Sequence, residues 1–358
     1  MKTRLRRFYW SSVRPGGQPL EYVGDPWEKL LGFLIAVVIL AFYIGIVNLL
    51  LMFASFSLFQ GNTIAYFVSF IGVIPLWFYA TYRARRYVLA RTRWRGVRFG
   101  VDAGAWAYTA HAIGHWMLTI LSLGILWPRM TFHLEKFRTD RTWYGSAQLE
   151  QGGDWQMLMP ALRPFVAAGI VAGGGAAAFF TDHIGMAAAL WSAAALWACY
   201  ALAQYPVETF RLLTNTKTAD GVGLLAQPRV GRVIWIYVTG YALVTFFVLI
   251  PGMFLIFALA LIQSAELARQ FDLVDVRALS AGLPRWLLLG AGALIYFALF
   301  LLWSTFRHVF ITLPLWKHYA ETLQVLGAPR LAQISQRSRD EFREAEGFAE
   351  ALDLGASI

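Results

Sequence analysis

Residues 105–127 read AWAYTAHAIGHWMLTILSLGILW, and whether this stretch crosses a bilayer decides the fold. Its 23 residues suffice in length, because about 20 helical residues cover a hydrocarbon core of roughly 30 Å. Six further apolar runs approach that length: residues 30–59, 63–82, 165–180, 184–205, 233–262 and 286–306. Lys and Arg gather in cytoplasmic loops, so the intervening charges test which runs cross. Seven crossings would divide the 31 basic residues 16 to 15, with no bias at all. If residues 105–127 instead enter and leave on the same side, the division becomes 28 to 3. The expectation is therefore an all-α, polytopic transmembrane bundle of three helical hairpins plus one re-entrant or interfacial segment. Gly61, Asp182 and Asp272 then face the periplasm, and Arg91, Arg141, Lys217 and both termini face the cytoplasm.

Composition supports lipid as the solvent. Apolar residues make up 58% of the chain and charged residues 15%, against about 25% charged in an ordinary soluble domain, and mean hydropathy is +0.53. The net charge of +10 would also suit nucleic acid, but the basic residues sit beside apolar runs, which favours a membrane surface. Cys199 is the one cysteine, so no intrachain disulfide forms. The expected organisation is a basic N-terminal segment over 1–29, a membrane domain over 30–327 and a polar tail over 328–358. The first apolar run is far longer than the core of a signal peptide, so no cleavable leader is expected.

Four times an apolar run ends at a proline, followed by an amphipathic stretch and a glycine: Pro75 to Gly96, Pro128 to Gly145, Pro206 to Gly221 and Pro314 to Gly327. Proline suits the first turn of a helix, so each copy reads as an amphipathic cytoplasmic helix leaving the membrane. At an offset of 49 residues, Trp94, Gly96, Gly104 and Trp106 align with Trp143, Gly145, Gly153 and Trp155. The residues between, Arg98-Phe99 and Gln148-Leu149, fit short extended or turn segments.

Three stretches carry a family resemblance: Trp94-Arg-Gly-Val-Arg-Phe99, Thr119-Ile-Leu-Ser-Leu-Gly-Ile-Leu-Trp-Pro128, and Arg141-Thr-Trp-Tyr-Gly145. They resemble the YjgN-like family of bacterial inner-membrane proteins, whose domain has no assigned function. Ser122 stands where that family has threonine, and Leu126 where it has an aromatic residue. The resemblance implies a polytopic inner-membrane protein and supplies no catalytic residues. It also implies a candidate partner, since related proteins are often encoded beside membrane-bound metallopeptidases.

Within residues 105–127, His111 and His115 are four apart and share one helix face. Ionisable groups at membrane depth usually face a cavity, partner or ion path, so the pair reads as a relay, as two metal ligands, or as interfacial hydrogen-bonded histidines. His133 or Asp102 would complete a site only by folding back. His-Ala-Ile-Gly-His lacks the glutamate of a metallopeptidase helix, and phosphate-loop and dinucleotide fingerprints are absent. No metal or cofactor is expected. Arg83, Arg85, Arg86, Arg91, Arg93, Arg95 and Arg98 lie together without an acidic residue between them. Such a cluster reads as contacts to anionic lipid headgroups or as a topology signal, rather than a nucleic-acid site. Gly169 and Gly173, with the alanines of the next run, read as a tightly packed hairpin turning at Asp182-His183. Transport or lipid handling leads, a scaffold for a partner such as a membrane-bound metallopeptidase follows, and an enzyme comes third. Oligomeric state is not legible.

Overall fold

The computed structural model describes residues 2–25, 73–263 and 285–336, with single positions between 27 and 53. The expected run at 30–59 therefore lies largely outside the described residues, as do Gly61, Asp272 and most of the tail, and the run at 63–82 is described from Val73 onward.

A β-sheet overturns the all-α expectation. Eight short strands form one antiparallel sheet in sequence order: β1 Leu20–Tyr22, β2 Thr92–Trp94, β3 Val97–Val101, β4 Thr142–Tyr144, β5 Ala147–Gln151, β6 Lys217–Ala219, β7 Val222–Ala226 and β8 Leu323–Leu326. Turn chemistry explains the hairpins. Arg95 and Gly96 have φ of 51° and 79°, and Asp220 and Gly221 have 45° and 78°. Two successive positive values make the tight turn whose twist matches paired strands, and Asp-Gly is its strongest short signal. Three of the glycines expected to end amphipathic helices, Gly96, Gly145 and Gly221, thus reverse the chain into a ladder, and the fourth, Gly327, follows β8.

Register corrects the 49-residue correspondence. Trp94 pairs with Val97, Tyr144 with Ala147 and Ala219 with Val222. Trp94 is therefore equivalent to Tyr144, at an offset of 50, and not to Trp143. A one-residue slip exchanges the faces of a strand. Trp94 and Tyr144 are buried with Ala147 and Val222 against Leu331 and Ile334, which follow β8. Trp143 instead sends its indole N–H to Asp102 Oδ2 at 3.0 Å.

Helices leave this sheet and return to it. α1, Lys2–Ser12, precedes β1, and its Trp10 Nε1 donates to Thr92 Oγ1 at 2.9 Å. α2, Val73–Ala90, runs into β2. α3, Ala105–Leu121, leaves from β3, and α4, Trp127–Thr139, returns to β4. α5, Met159–Phe180, leaves from β5 and α6, Ile184–Asn215, returns to β6. At about 1.5 Å per residue, α5 and α6 are long enough to span a bilayer, whereas α4 is only about 20 Å long. Trp155–Phe180 and Ile184–Asn215 are apolar and long enough to cross, as are Val230–Phe257 and Leu289–Glu321. The first begins ten residues before the expected start at 165, with Pro164 inside the helix. Pro206 likewise lies inside α6 rather than opening a new helix.

The stretch 105–127 does not turn back near His115 to Leu118, where a re-entrant loop would have to. α3 is continuous to Leu121, and the chain reverses at 122–126. Leu123 and Gly124 have φ of 52° and 86°, Gly124 N donates to Thr119 O at 2.8 Å, and Pro128 opens α4. No glycine or proline interrupts 115–121, so the helix had no reason to break earlier. Leu121, Leu123 and Ile125 make the hairpin tip apolar and exposed. Both ends of the α3–α4 hairpin meet the sheet, where Asp102 N donates to Arg141 O at 2.9 Å. Tyr82, Val101, Tyr108, Ala112, Met130 and Leu134 form the core joining α2, α3, α4 and β3.

Residues 229–319 form a second compact unit. It contains α7, Val230–Val244, α8, Ile250–Gln263, α9, Arg285–Arg307, and α10, Leu313–Glu321, the last extending two residues beyond the unit. π-Turns at Thr245–Leu249 and His308–Thr312 lie just before Pro251 and Pro314. A proline ring collides with the carbonyl four residues earlier, and widening the turn relieves the clash. Those residues are Phe247 and Phe310, whose rings stack at 6.1 Å. The helix therefore passes Pro251 through a widened turn rather than a break.

Candidate functional site

Helical spacing sorts the arginines. Tyr79, Arg83 and Arg86 recur at i, i+4 and i+7 on one face of α2, while Arg85 lies on another. Arg83 and Arg86 border a cavity of about 320 Å³ between α2 and the start of α3, with Tyr79, Tyr82, Gly104 and Trp106 among its lining residues. Arg83 Nη1 donates to Tyr79 Oη at 3.1 Å, and Arg86 Nε donates to Val101 O at 3.1 Å. The rings of Tyr79 and Trp106 lie 4.7 Å apart, and Trp106 is exposed.

The other arginines go elsewhere. Arg85 Nε is buried, and its charge lies near that of Glu135 on α4. Arg91 is buried with its guanidinium 3.7 Å from the Tyr87 ring centroid. Arg93 and Arg98 stand opposite one another across β2 and β3. Arg95 is exposed at the turn. The seven residues therefore do not share one face of the fold, and Arg83 and Arg86 border one cavity.

Glu135 ties α4 to β6. It accepts from Lys217 Nζ on β6 and pairs with Arg138 Nη2 at 2.7 Å. Burial raises the cost of its charge, but Lys217, Arg138 and Arg85 outweigh that and hold its carboxyl well below the usual range.

A second cluster lies along the α3–α4 hairpin. His111 and His115 sit one turn apart on α3, and the reversal at 122–126 brings His133 of α4 beside them. The ring centroids of His111 and His115 are 4.5 Å apart, and those of His115 and His133 are 4.8 Å apart with an interplanar angle of 11°. His111 also lies against Phe137, at 5.4 Å. All three histidines are half-buried.

The family model described as "Bacterial protein of unknown function (DUF898)" matches residues 1–351. The chain belongs to that family. No curated protein and no solved structure matches it. The YjgN-like resemblance read from residues 94–99, 119–128 and 141–145 agrees with this membership. In this DUF898 chain the resemblance stretches occupy the β2–β3 hairpin, the reversal between α3 and α4, and the entry to the β4–β5 hairpin.

Of the two residues thought able to complete the histidine pair, the fold brings His133 and leaves Asp102 bonded to Trp143. The signal for His133 was the Ser122-Leu-Gly124 turn with Pro128 after it, which returns a helix antiparallel to its predecessor. Glu135 and Lys217, 82 residues apart, carried no sequence signal of their pairing.

Proposed function

We propose that this is a multi-pass protein of the bacterial inner membrane, with cytoplasmic termini, that handles lipid by holding an anionic phospholipid headgroup between Arg83 and Arg86. The observation that carries the reading is the cavity bounded by those two guanidiniums and the Tyr79–Trp106 pair. Guanidinium groups suit phosphate because their fork of donors matches its oxygens. Trp and Tyr favour the membrane–water boundary, where an apolar ring and a polar edge are both accommodated. Further support comes from the apolar tip at Leu121, Leu123 and Ile125, which suits insertion among acyl chains while the sheet stays in water.

Reconstitution into nanodiscs of zwitterionic lipid, followed by titration with phosphatidylglycerol and native mass spectrometry, tests this. Each charge near the surface contributes on the order of 1 kcal/mol, so an Arg83→Gln, Arg86→Gln double variant should lose retention by about thirtyfold. Arg95→Gln, at an exposed turn away from the cavity lining, should retain lipid like the parent. Equal retention by parent and double variant would refute the proposal.

A further inference from the structure

We infer that His111, His115 and His133 form a binding site for a divalent transition-metal ion of the zinc class. Each histidine offers one ring nitrogen, and these nitrogens all lie within 4.8 Å of one another. Zn–N bonds of about 2.0–2.1 Å in a tetrahedral site place ligand nitrogens roughly 3.4 Å apart. The remaining closure falls to the outer imidazole torsion, which is broad and soft. Among the described residues, none of the three rings has a hydrogen bond to its nitrogens, so binding an ion breaks no such bond there.

The scaffold is suited to a site. The i, i+4 spacing on α3 presents two imidazoles on one face. The third is fixed opposite them by the β3–β4 ladder at one end of the hairpin and the turn at 122–126 at the other. Ligands mounted on helices keep their geometry better than ligands on loops. Half-burial leaves an entry path while the Phe137 ring beside His111 covers part of the cluster.

The ligand set selects the ion. Three nitrogens without a carboxylate or thiolate suit Zn²⁺, Cu²⁺, Ni²⁺ or Co²⁺ and not Mg²⁺ or Ca²⁺, which take oxygen. Three protein ligands leave one tetrahedral position open to water or to a solute. Positive charge from Arg129 acts on His115 and His133, and that of Arg141 on His111. Those charges oppose the bare cation and favour an anion, hydroxide included, at the fourth position.

The test uses the full-length chain without a histidine tag, in detergent and in a Cys199→Ser background, because that exposed thiol is a competing ligand. Equilibrium dialysis against Zn²⁺ with elemental analysis measures stoichiometry, and Co²⁺ substitution reports geometry by its visible spectrum. The expected result is one ion per chain and a tetrahedral Co²⁺ spectrum. His111→Ala, His115→Ala and His133→Ala should each weaken Zn²⁺ binding by at least about a hundredfold, above the loss typical of outer-shell partners. His183→Ala, at the exposed turn between α5 and α6, should bind like the parent. Where an alanine variant aggregates, the glutamine variant replaces it. Zn²⁺ uptake unchanged in the triple histidine variant, absent in the parent, or lost in His183→Ala overturns the site.

Discussion

Tyr144 donates its hydroxyl to the main chain of its structural equivalent in the preceding hairpin, Trp94, with Oη 3.0 Å from Trp94 O and ring centroids 5.5 Å apart. Each residue closes the first strand of a two-residue hairpin. The contact therefore links successive hairpins through the inner face of the sheet.

Replacing Tyr144 separates the two parts of that contact. Tyr144→Phe keeps the ring and removes one buried hydrogen bond, leaving the Trp94 carbonyl short of a partner, and should cost about 1 kcal/mol. Tyr144→Ala also empties the space among Trp94, Phe99 and Ile334, and should cost about 3–5 kcal/mol. Thermal unfolding in detergent, followed by tryptophan fluorescence, should rank the parent, Tyr144→Phe and Tyr144→Ala in that order.

Gly96 and Gly145 both have positive φ but differ in their surroundings. A Cβ on Gly96 meets nothing within 4 Å, so Gly96→Ala bears only the backbone cost of about 1–2 kcal/mol. A Cβ on Gly145 would collide with the Ser335 carbonyl oxygen and lie 2.6 Å from Val97 Cγ1. Gly145→Ala should lower the unfolding temperature more than Gly96→Ala, and should raise protease sensitivity in the segment after β8.

Glu135 gives stability a predictable acid limb. Its folded carboxyl is held below the usual 4.5 by Lys217, Arg138 and Arg85 despite burial. Stability from a depressed carboxyl is fully present above the unfolded value and is lost as pH falls through the folded one. Parent and Glu135→Gln should therefore differ by a constant amount from neutral pH down to the usual 4.5, and converge as pH falls further. The gap at neutral pH should be about 3 kcal/mol, because the substitution leaves the half-buried Lys217 and Arg138 without their partner. A gap that instead narrows between pH 7 and 5 would contradict the assignment.

The long apolar elements were legible because apolar length is a strong signal: residues 184–205 fall within α6, and the turn at Asp182-His183 lies between α5 and α6 as expected. The sheet was not, although Asp220-Gly221 announces a hairpin. Its flanking strands are only 3 and 5 residues long, too short for alternation to outweigh the helical reading of the stretch before them. Matching tryptophans fixed the correspondence between hairpins one residue out of register, because Trp143 resembles Trp94 in kind while Tyr144 replaces it in position. The histidine pair was visible from its spacing. Its third member depended on where α3 ends, and the Ser-Leu-Gly turn was not read as that end.

On the proposed topology, the helical excursions described between β2 and β7 all return to one sheet on one side of the membrane. Single cysteines placed in a Cys199→Ser background at Arg95, Ser146 and Asp220, the exposed tips of the three hairpins, and at Asp182, between α5 and α6, measure this directly. In intact cells an impermeant maleimide should label position 182 and spare 95, 146 and 220 until the inner membrane is opened. Labelling of position 146 from outside alongside 182, with 95 protected, would contradict the shared sheet and place a crossing between β3 and β4.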